Sequence, residues 1–467
     1  MENSRLWQVI ISLQAAERKH LNQWLQSPFF CRRTQPLALF DYFRACMESG
    51  RLPVQEDAQK AIFGAEKAAN LQALRAVMTE LMGQIEHFLV YSEKFERKGD
   101  YSIRLAEAYR KRGLEKHFRQ SLHAARSDWA SQPYRHAEYF DAQMAIEYEL
   151  YQYQSAGQRT EALNWQELSN QTDTAFIARK LRQACFALSH QVVYSTGYNF
   201  GLLDVVLAHM RNSPALQAIP SVGLYYFCYL FLTEAEGEPF FREFKPRLLA
   251  NLGQLPLEEQ RNLHLLALNF CIRKINQSAP AYFREALDLY QSALQANLLL
   301  ENGQLSHFAY SNIAAIAIKV GDTDWVEQFI HQYAPFLEKK HRDAAFHLNL
   351  ARLEYVRQNM GAALQHLQQA DYKDLIHNLI AKTLQLKIYY ETGEFDALDA
   401  HLQSMQTFIR RQRVIGYHKT NYLNIVRYAR RLLMLNPNSR QDRQSLRGQI
   451  ESESVLTERE WFLEMVG

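Results

Sequence analysis

Sixteen histidines and five cysteines are the side chains of this 467-residue chain best suited to metal binding, nucleophilic attack or proton transfer. Their spacing argues against all three. No two histidines lie four residues apart, the step that sets two imidazoles on one helical face; His117 and His123 are six apart, as are His341 and His347. Cys31, Cys46, Cys185, Cys228 and Cys271 are odd in number, widely separated and without a CxxC pair. They are expected as reduced core thiols rather than as a disulfide framework or a zinc site. A glycine-rich phosphate loop, an HExxH, a GxSxG and a DxDxG calcium loop are all missing from the sequence. Glu301, in a stretch read as a loop, and Glu391 and Glu394, flanking a turn, are expected at helix ends and in solvent. The expectation is therefore a chain without catalytic residues, metal or cofactor.

Charge offers more. Between Gln406 and Gln449 there are ten Lys or Arg and one acid, Asp442. Helical spacing buries Tyr422, Ile425, Val426, Ala429, Leu432 and Leu433, which turns Arg427, Arg430 and Arg431 to the other side, with Arg410, Arg411 and Arg413 preceding them. A patch this dense could steer an acidic peptide or a phosphate backbone. The reading it competes with, and the one the sequence favours, is a solvated face paired with acids elsewhere, among them those of "ESESVLTEREWFLE" just beyond. The first hundred residues carry thirteen basic and twelve acidic side chains, and the whole chain has a formal charge of only +3, so any basic surface is local.

The elements that must position these groups read as helices. A hydrophobic fraction of 47% suffices for a core, and only 18 Gly and 12 Pro are present, which disfavours a fold built on tight hairpins. "NLQALRAVMTELMGQIEHFL" sets Leu71, Leu74, Met78, Leu81, Ile85 and Phe88 on one stripe, with Asn70 as N-cap. Pro28 ends an earlier helix that turns Leu21, Trp24 and Leu25 inward. Helix, tight turn, helix then recurs around Gly113, Gly321, Gln358-Asn359 and Gly393; the last three turns are consecutive, 37 and 35 residues apart. Two helices of three to four turns with short links use about 34 residues, so this period implies stacked helical hairpins, each burying its apolar face on the next. Residues 269–277 and 281–295 read as a further hairpin across Ser278 to Pro280, the stretch from Trp129 to Asn297 is helical with weaker phasing, and 300–305 is a loop.

These units resemble tetratricopeptide repeats. Leu105-Ala106-Tyr109-Gly113-Phe118-Leu122-Ala125 follows that family's skeleton, and Leu350-Ala351, Ala363, Leu367 and Ala370 follow it without the glycine and the first tyrosine. The unit at Gly393 has Leu386, Leu398 and Met405 where the family has small residues. The resemblance implies that Arg352 and Tyr355 in one repeat, and Lys387 and Tyr390 in the next, face a concave groove, where a cation beside an aromatic suits an acidic or C-terminal peptide. The competing arrangement packs the tyrosines between hairpins and lets the cations reach water. "LQSPFF", "CIRKINQ", "LLENGQLSHFAYSNI", "YHKTNYLNIVRYARRLL" and "EREWF" also resemble segments of an uncharacterised family of bacterial helical-repeat proteins, a resemblance that implies a fold and no activity.

The expected molecule is all-α: an N-terminal helical domain over 1–98, a superhelical array of tetratricopeptide-like repeats over 99–435, and a capping helix or tail over 436–467. The opening "MENSRLWQVIISLQAAERKH" has only a five-residue apolar run and no small-residue cleavage site, so it does not read as a secretory signal, and the longest apolar run, Val222 to Leu232, is too short to span a bilayer; a cytoplasmic location without membrane insertion is expected. The expected function is a non-catalytic scaffold whose groove holds a protein or acidic peptide. The alternative is a nucleic-acid-associated regulator using the basic segment, and a third is a hydrolase or sensor with an unrecognised pocket.

Overall fold

The structure, a computed structural model of the whole chain, describes residues 1–64, 71–95, 97–157, 162–194, 196–411, 417–436 and 439–467. Asn70, assigned as an N-cap, and Arg413 lie outside the described residues. The described residues form 24 α-helices and one two-stranded ribbon, so the all-α expectation holds. No helix among them is long and apolar enough to cross a membrane.

Two compact units divide the chain, Met1–Ile177 and Ala178–Gly467. The first carries α1 (Arg5–Ser12), α2 (Ala15–Gln26), α3 (Thr34–Ser49), α4 (Gln55–Phe63), α5 (Leu71–Phe95), α6 (Lys98–Lys111), α7 (Glu115–Ser131) and α8 (Ala137–Ser155), and α9 (Trp165–Tyr194) runs on past the division. Helices α1, α2, α4 and α5 gather around α3, and their shared core holds Leu21, Leu39, Phe40, Phe43, Leu81 and Ile85. The α5 stripe is rotated slightly from its expected setting: Val77 is in the core, Met78 only edges it and Leu71 is exposed. Helices α6, α7 and α8 pack on one another over Ala106, Phe118, Ala125 and Trp129. Gly99 is required there, because a Cβ would sit 2.5 Å from the Trp129 ring.

The second unit continues with α10 (Leu203–Arg211), α11 (Pro214–Ala218), α12 (Pro220–Thr233), α13 (Glu238–Ala250), α14 (Leu257–Asn276) and α15 (Tyr282–Gln295). All five cysteines of the chain are buried and unbridged. Residues 300–305 are not a plain loop. Leu300–Glu301 (β1) and Gln304–Leu305 (β2) pair antiparallel around Asn302 and Gly303, both at positive φ. An Asn-Gly pair supplies the two left-handed residues of a tight hairpin turn, a signal stronger than the shortness of the strands suggests.

The hairpins that matter for function follow: α16 (His307–Val320) with α17 (Thr323–Tyr333), α18 (Lys339–Val356) with α19 (Met360–Gln368), α20 (Leu375–Glu391) with α21 (Phe395–Arg411), then α22 (Tyr417–Leu433), α23 (Arg440–Ser452) and α24 (Arg459–Val466). Besides its own partner, α16 packs on α18, and α18 on α20. Ala351 and Ala363 are buried where α18 meets α19, whereas Ala370 lies beyond the end of α19 and is only half-buried. Around Gly393 the large residues Leu386, Leu398 and Met405 fill the core instead of small ones. They bring α20 and α21 into one apolar cluster with α22, α23 and α24.

Candidate functional site

The predicted groove residues come from matching positions of two helices. Arg352 lies six residues before Gln358 and Lys387 six before Gly393, each the positive-φ residue that ends its helix. With Tyr355 and Tyr390 three residues further on, the cation and aromatic of each helix fall on one face. The structure brings the four together in the second unit and places another part of the chain on top of them. The 453–467 segment crosses α22, α20, α18 and α16.

Its course can be followed by its bonds. On α22, the Asn424 amide donates to the Val455 carbonyl (3.0 Å). The Asn421 side chain donates to the Thr457 hydroxyl (3.1 Å) and accepts from the Thr457 backbone amide (2.8 Å). These two buried asparagines grip the extended stretch before α24 much as a neighbouring strand would. On α20, Lys387 Nζ lies 3.1 Å from the Glu458 carboxylate, 5.1 Å from the centre of the Tyr355 ring and 5.5 Å from that of Trp461. Trp461 Nε1 donates to Glu391 (2.6 Å), which also accepts the Tyr355 hydroxyl, and the Tyr390 ring meets the Trp461 ring edge-on at 5.6 Å. On α16, Lys319 pairs with Glu460 at 3.3 Å.

Apolar anchors sit beneath. Leu456, Trp461, Phe462 and Val466 are buried in the cluster with Leu379, Leu386, Met405, Ile425 and Ala429. Each fully buried side chain of this size contributes about 1.5–3 kcal/mol. Burial raises the Tyr355 hydroxyl pKa far above its ordinary value, reinforced by the negative charge of Glu391. It raises those of Tyr372 and Tyr422 to about 12. Arg352 has its pKa lowered by burial, with Glu458 offsetting part of the effect. Its guanidinium donates to Asn349 Oδ1 (3.2 Å), and among the described residues no acid lies within ion-pair reach of it. Asn349, fully buried, donates in turn to Ser311 (3.2 Å).

Glu391 is thus not the solvent-facing helix end expected of it, because one of its oxygens accepts two donors inside the site. Glu394 is exposed, and Glu301 pairs with Arg261 at the surface. The basic residues of the 406–449 region differ in their surroundings. Arg427 is paired to Glu453, one of the acids just beyond, and lies over the Tyr428 ring at 4.7 Å. Burial acts to raise the Glu453 pKa, but bonds from Arg427, the Val455 amide and Tyr428 more than offset it, leaving it below the ordinary value. Arg410, Arg411 and Arg431 are exposed and Arg430 is half-buried.

One cluster escaped the sequence analysis. His307, His341 and His377 stand at the first turns of α16, α18 and α20, with the His307 ring 4.0 Å from His341 and 5.2 Å from His377. The available signal was their separation of 34 and 36 residues, the hairpin period itself. The His307 ring stacks on His341 and meets His377 edge-on, and among the described residues no group of three or more His, Cys, Asp and Glu is arranged to hold a metal. A cavity of about 530 Å³ in the first unit is lined by Arg97, Asp100, Arg104, Trp129 and Glu149, among others. Among its charged residues, Glu149 is bound by Arg110 (2.7 Å) and Arg104 by Glu107 (3.1 Å), leaving those groups engaged in ion pairs.

No family model matches the chain, and neither a curated protein nor a solved structure is significantly similar to it.

Proposed function

We propose that this protein is a non-catalytic scaffold that binds a protein or peptide on the face formed by α16, α18, α20 and α22. The observation that carries the reading is the seating of α24: the face holds an acidic helix by a lysine-to-glutamate pair and a tryptophan gripped between Tyr390 and Glu391. Cations set beside aromatic rings recognise carboxylates at short range while the rings shield the pair from water. Recurrence of the helix-turn-helix unit, with first helices of successive pairs in contact, supports a tetratricopeptide-like array for this region. Recognition by such a face needs positioned side chains and no reacting group.

The nucleic-acid alternative rests on Arg410, Arg411 and Arg431. Arg427, which would belong to the same patch, is committed to Glu453.

The test uses labelled fifteen-residue peptides of matched helical propensity titrated into the full chain carrying Trp461→Ala, which loosens α24. Peptides with two glutamates and a Trp-Phe pair should bind at least tenfold tighter than lysine-substituted counterparts, and Lys387→Glu should remove that preference. Equal binding of acidic and basic peptides, or indifference to Lys387→Glu, would rule the reading out.

A further inference from the structure

The geometry points to a second property of this face: the 453–467 segment is an internal competitor that an outside partner must displace, and the partner is an acidic helix with a paired Trp-Phe or equivalent aromatic edge. We propose this on the strength of the binding reading above, which it deepens.

Three observations converge on it. The first is the form of attachment. Helix α24 has eight residues and no side-chain bond capping its N-terminus, and a helix that short does not persist in water by itself. Its order comes from the face it lies on. The polar ties are made to residues far away in sequence: Glu458 to Lys387, Glu460 to Lys319 and Trp461 to Glu391. Such bonds can be remade identically by a separate chain, since nothing in them depends on covalent continuity.

The second is the water-facing side of the contact. The Glu460 side chain is 90% exposed and that of Lys319 59% exposed, so this pair is already in exchange with solvent and is worth little. The segment can therefore begin to peel from α16 before its apolar anchors are lost, which gives an incoming helix a place to start.

The third is imperfect fit. Arg352 is a desolvated cation facing the segment with no described acid in ion-pair reach, and the buried Tyr372 hydroxyl has no hydrogen-bond partner. Arg352 is close enough to interact electrostatically with both Tyr372 and Glu458. A ligand carrying one more carboxylate at this point would satisfy a cation and a hydroxyl that the internal segment leaves short. A buried group left without its partner is costly, so the face prefers a better-matched helix to its own. The internal segment holds its place through the high effective concentration that tethering confers, and the apparent affinity of any partner falls by the fraction of molecules whose face is free.

The experiment titrates a labelled peptide with the sequence of residues 453–467 into the full wild-type chain and into the full chain with Glu458→Lys and Glu460→Lys. These changes weaken the internal ties and leave Trp461 and Phe462 intact. At least tenfold tighter binding by the doubly substituted chain is expected, lost again on adding Lys387→Glu. Equal, measurable binding by both chains would overturn displacement while leaving the binding face in place; binding by neither would remove the face and the inference together. Amide hydrogen exchange on the unmodified chain gives a reading independent of the variants. The α24 amides should exchange by local opening, faster than those of α20 and α22, and faster still with peptide present. Exchange of α24 at the slow rate of α20 would overturn the proposal, as would a concentration-dependent dimer in light scattering, which would make a second copy the occupant.

Discussion

Individual residues settle the character of the site, and several of them act through position rather than type. Glu391 follows two tyrosines in sequence and flanks a turn, which marks it for solvent; it is held inside because Tyr355, 36 residues before it, and Trp461, 70 residues after it, both donate to it. His377 is similar. It is 3% exposed, beside Asp374, Ser311 and His307, with His341 and Arg352 also facing it. Burial lowers its pKa from 6.5 to about 4, with neighbouring positive charge acting the same way and Asp374 opposing. The folded protein therefore binds fewer protons than the unfolded chain between these values. Stability is full above pH 6.5 and is lost as the pH falls toward 4, by on the order of 3 kcal/mol for this one group. Urea midpoints measured across that range should fall with acid, and His377→Gln should flatten the dependence by about one proton; an unchanged slope would show that His377 does not carry it.

At the scale of elements, the turns are where the chain was easiest to read. Gly113, Gly321 and Gly393 have φ of 70°, 87° and 75°, and Gln358 has 64°. Each is followed by the same bond back across the helix end, Leu114 to Tyr109 (3.0 Å), Asp322 to Ala317 (3.2 Å), Asn359 to Glu354 (2.8 Å) and Glu394 to Tyr389 (2.9 Å). This is the left-handed cap that glycine adopts without strain. Ser278 and Asn297 use it too. Gln358 bears the penalty of a side chain in this conformation, so Gln358→Gly should stabilise the chain by about 0.5–1 kcal/mol. Gly321→Ala should cost about 1 kcal/mol, purely from the backbone, because no atom lies within 4 Å of the added Cβ. Thermal or urea unfolding of the two variants checks both signs, and a loss at Gln358→Gly would show that its side chain has a role the turn does not require. The 300–305 ribbon was harder to see, because two-residue strands have no alternation to detect.

For the molecule as a whole, the deciding fact is that opposite charges find each other within it. The 406–449 stretch looks like a basic surface when taken by itself, and the acids that follow it look like a solvated tail. In the fold, Glu453 turns back on Arg427, while Glu458 and Glu460 travel on to Lys387 and Lys319. A chain with a net charge of +3, with Arg427, Lys387 and Lys319 engaged in this way, should bind duplex DNA weakly, with a shallow dependence of log affinity on log salt. A filter-binding or anisotropy titration between 50 and 200 mM salt (roughly the range over which phosphate contacts are lost) measures it. A steep slope, diminished by Arg410→Ala with Arg411→Ala, would restore the nucleic-acid alternative.

By itself the sequence determined the hairpins around Gly113, Gly321, Gln358 and Gly393, the positions of their turns and their period, and it set Arg352 with Tyr355, and Lys387 with Tyr390, on one face of each helix. All of these follow from spacing along a chain whose backbone repeats every 3.6 residues and whose caps need particular φ values. Only the tertiary structure decided what lies on that face. The 453–467 segment is brought there by apolar burial of Leu456, Phe462 and Val466 and by pairings across as many as 141 residues, and no local periodicity records which distant surface a short amphipathic helix will cover.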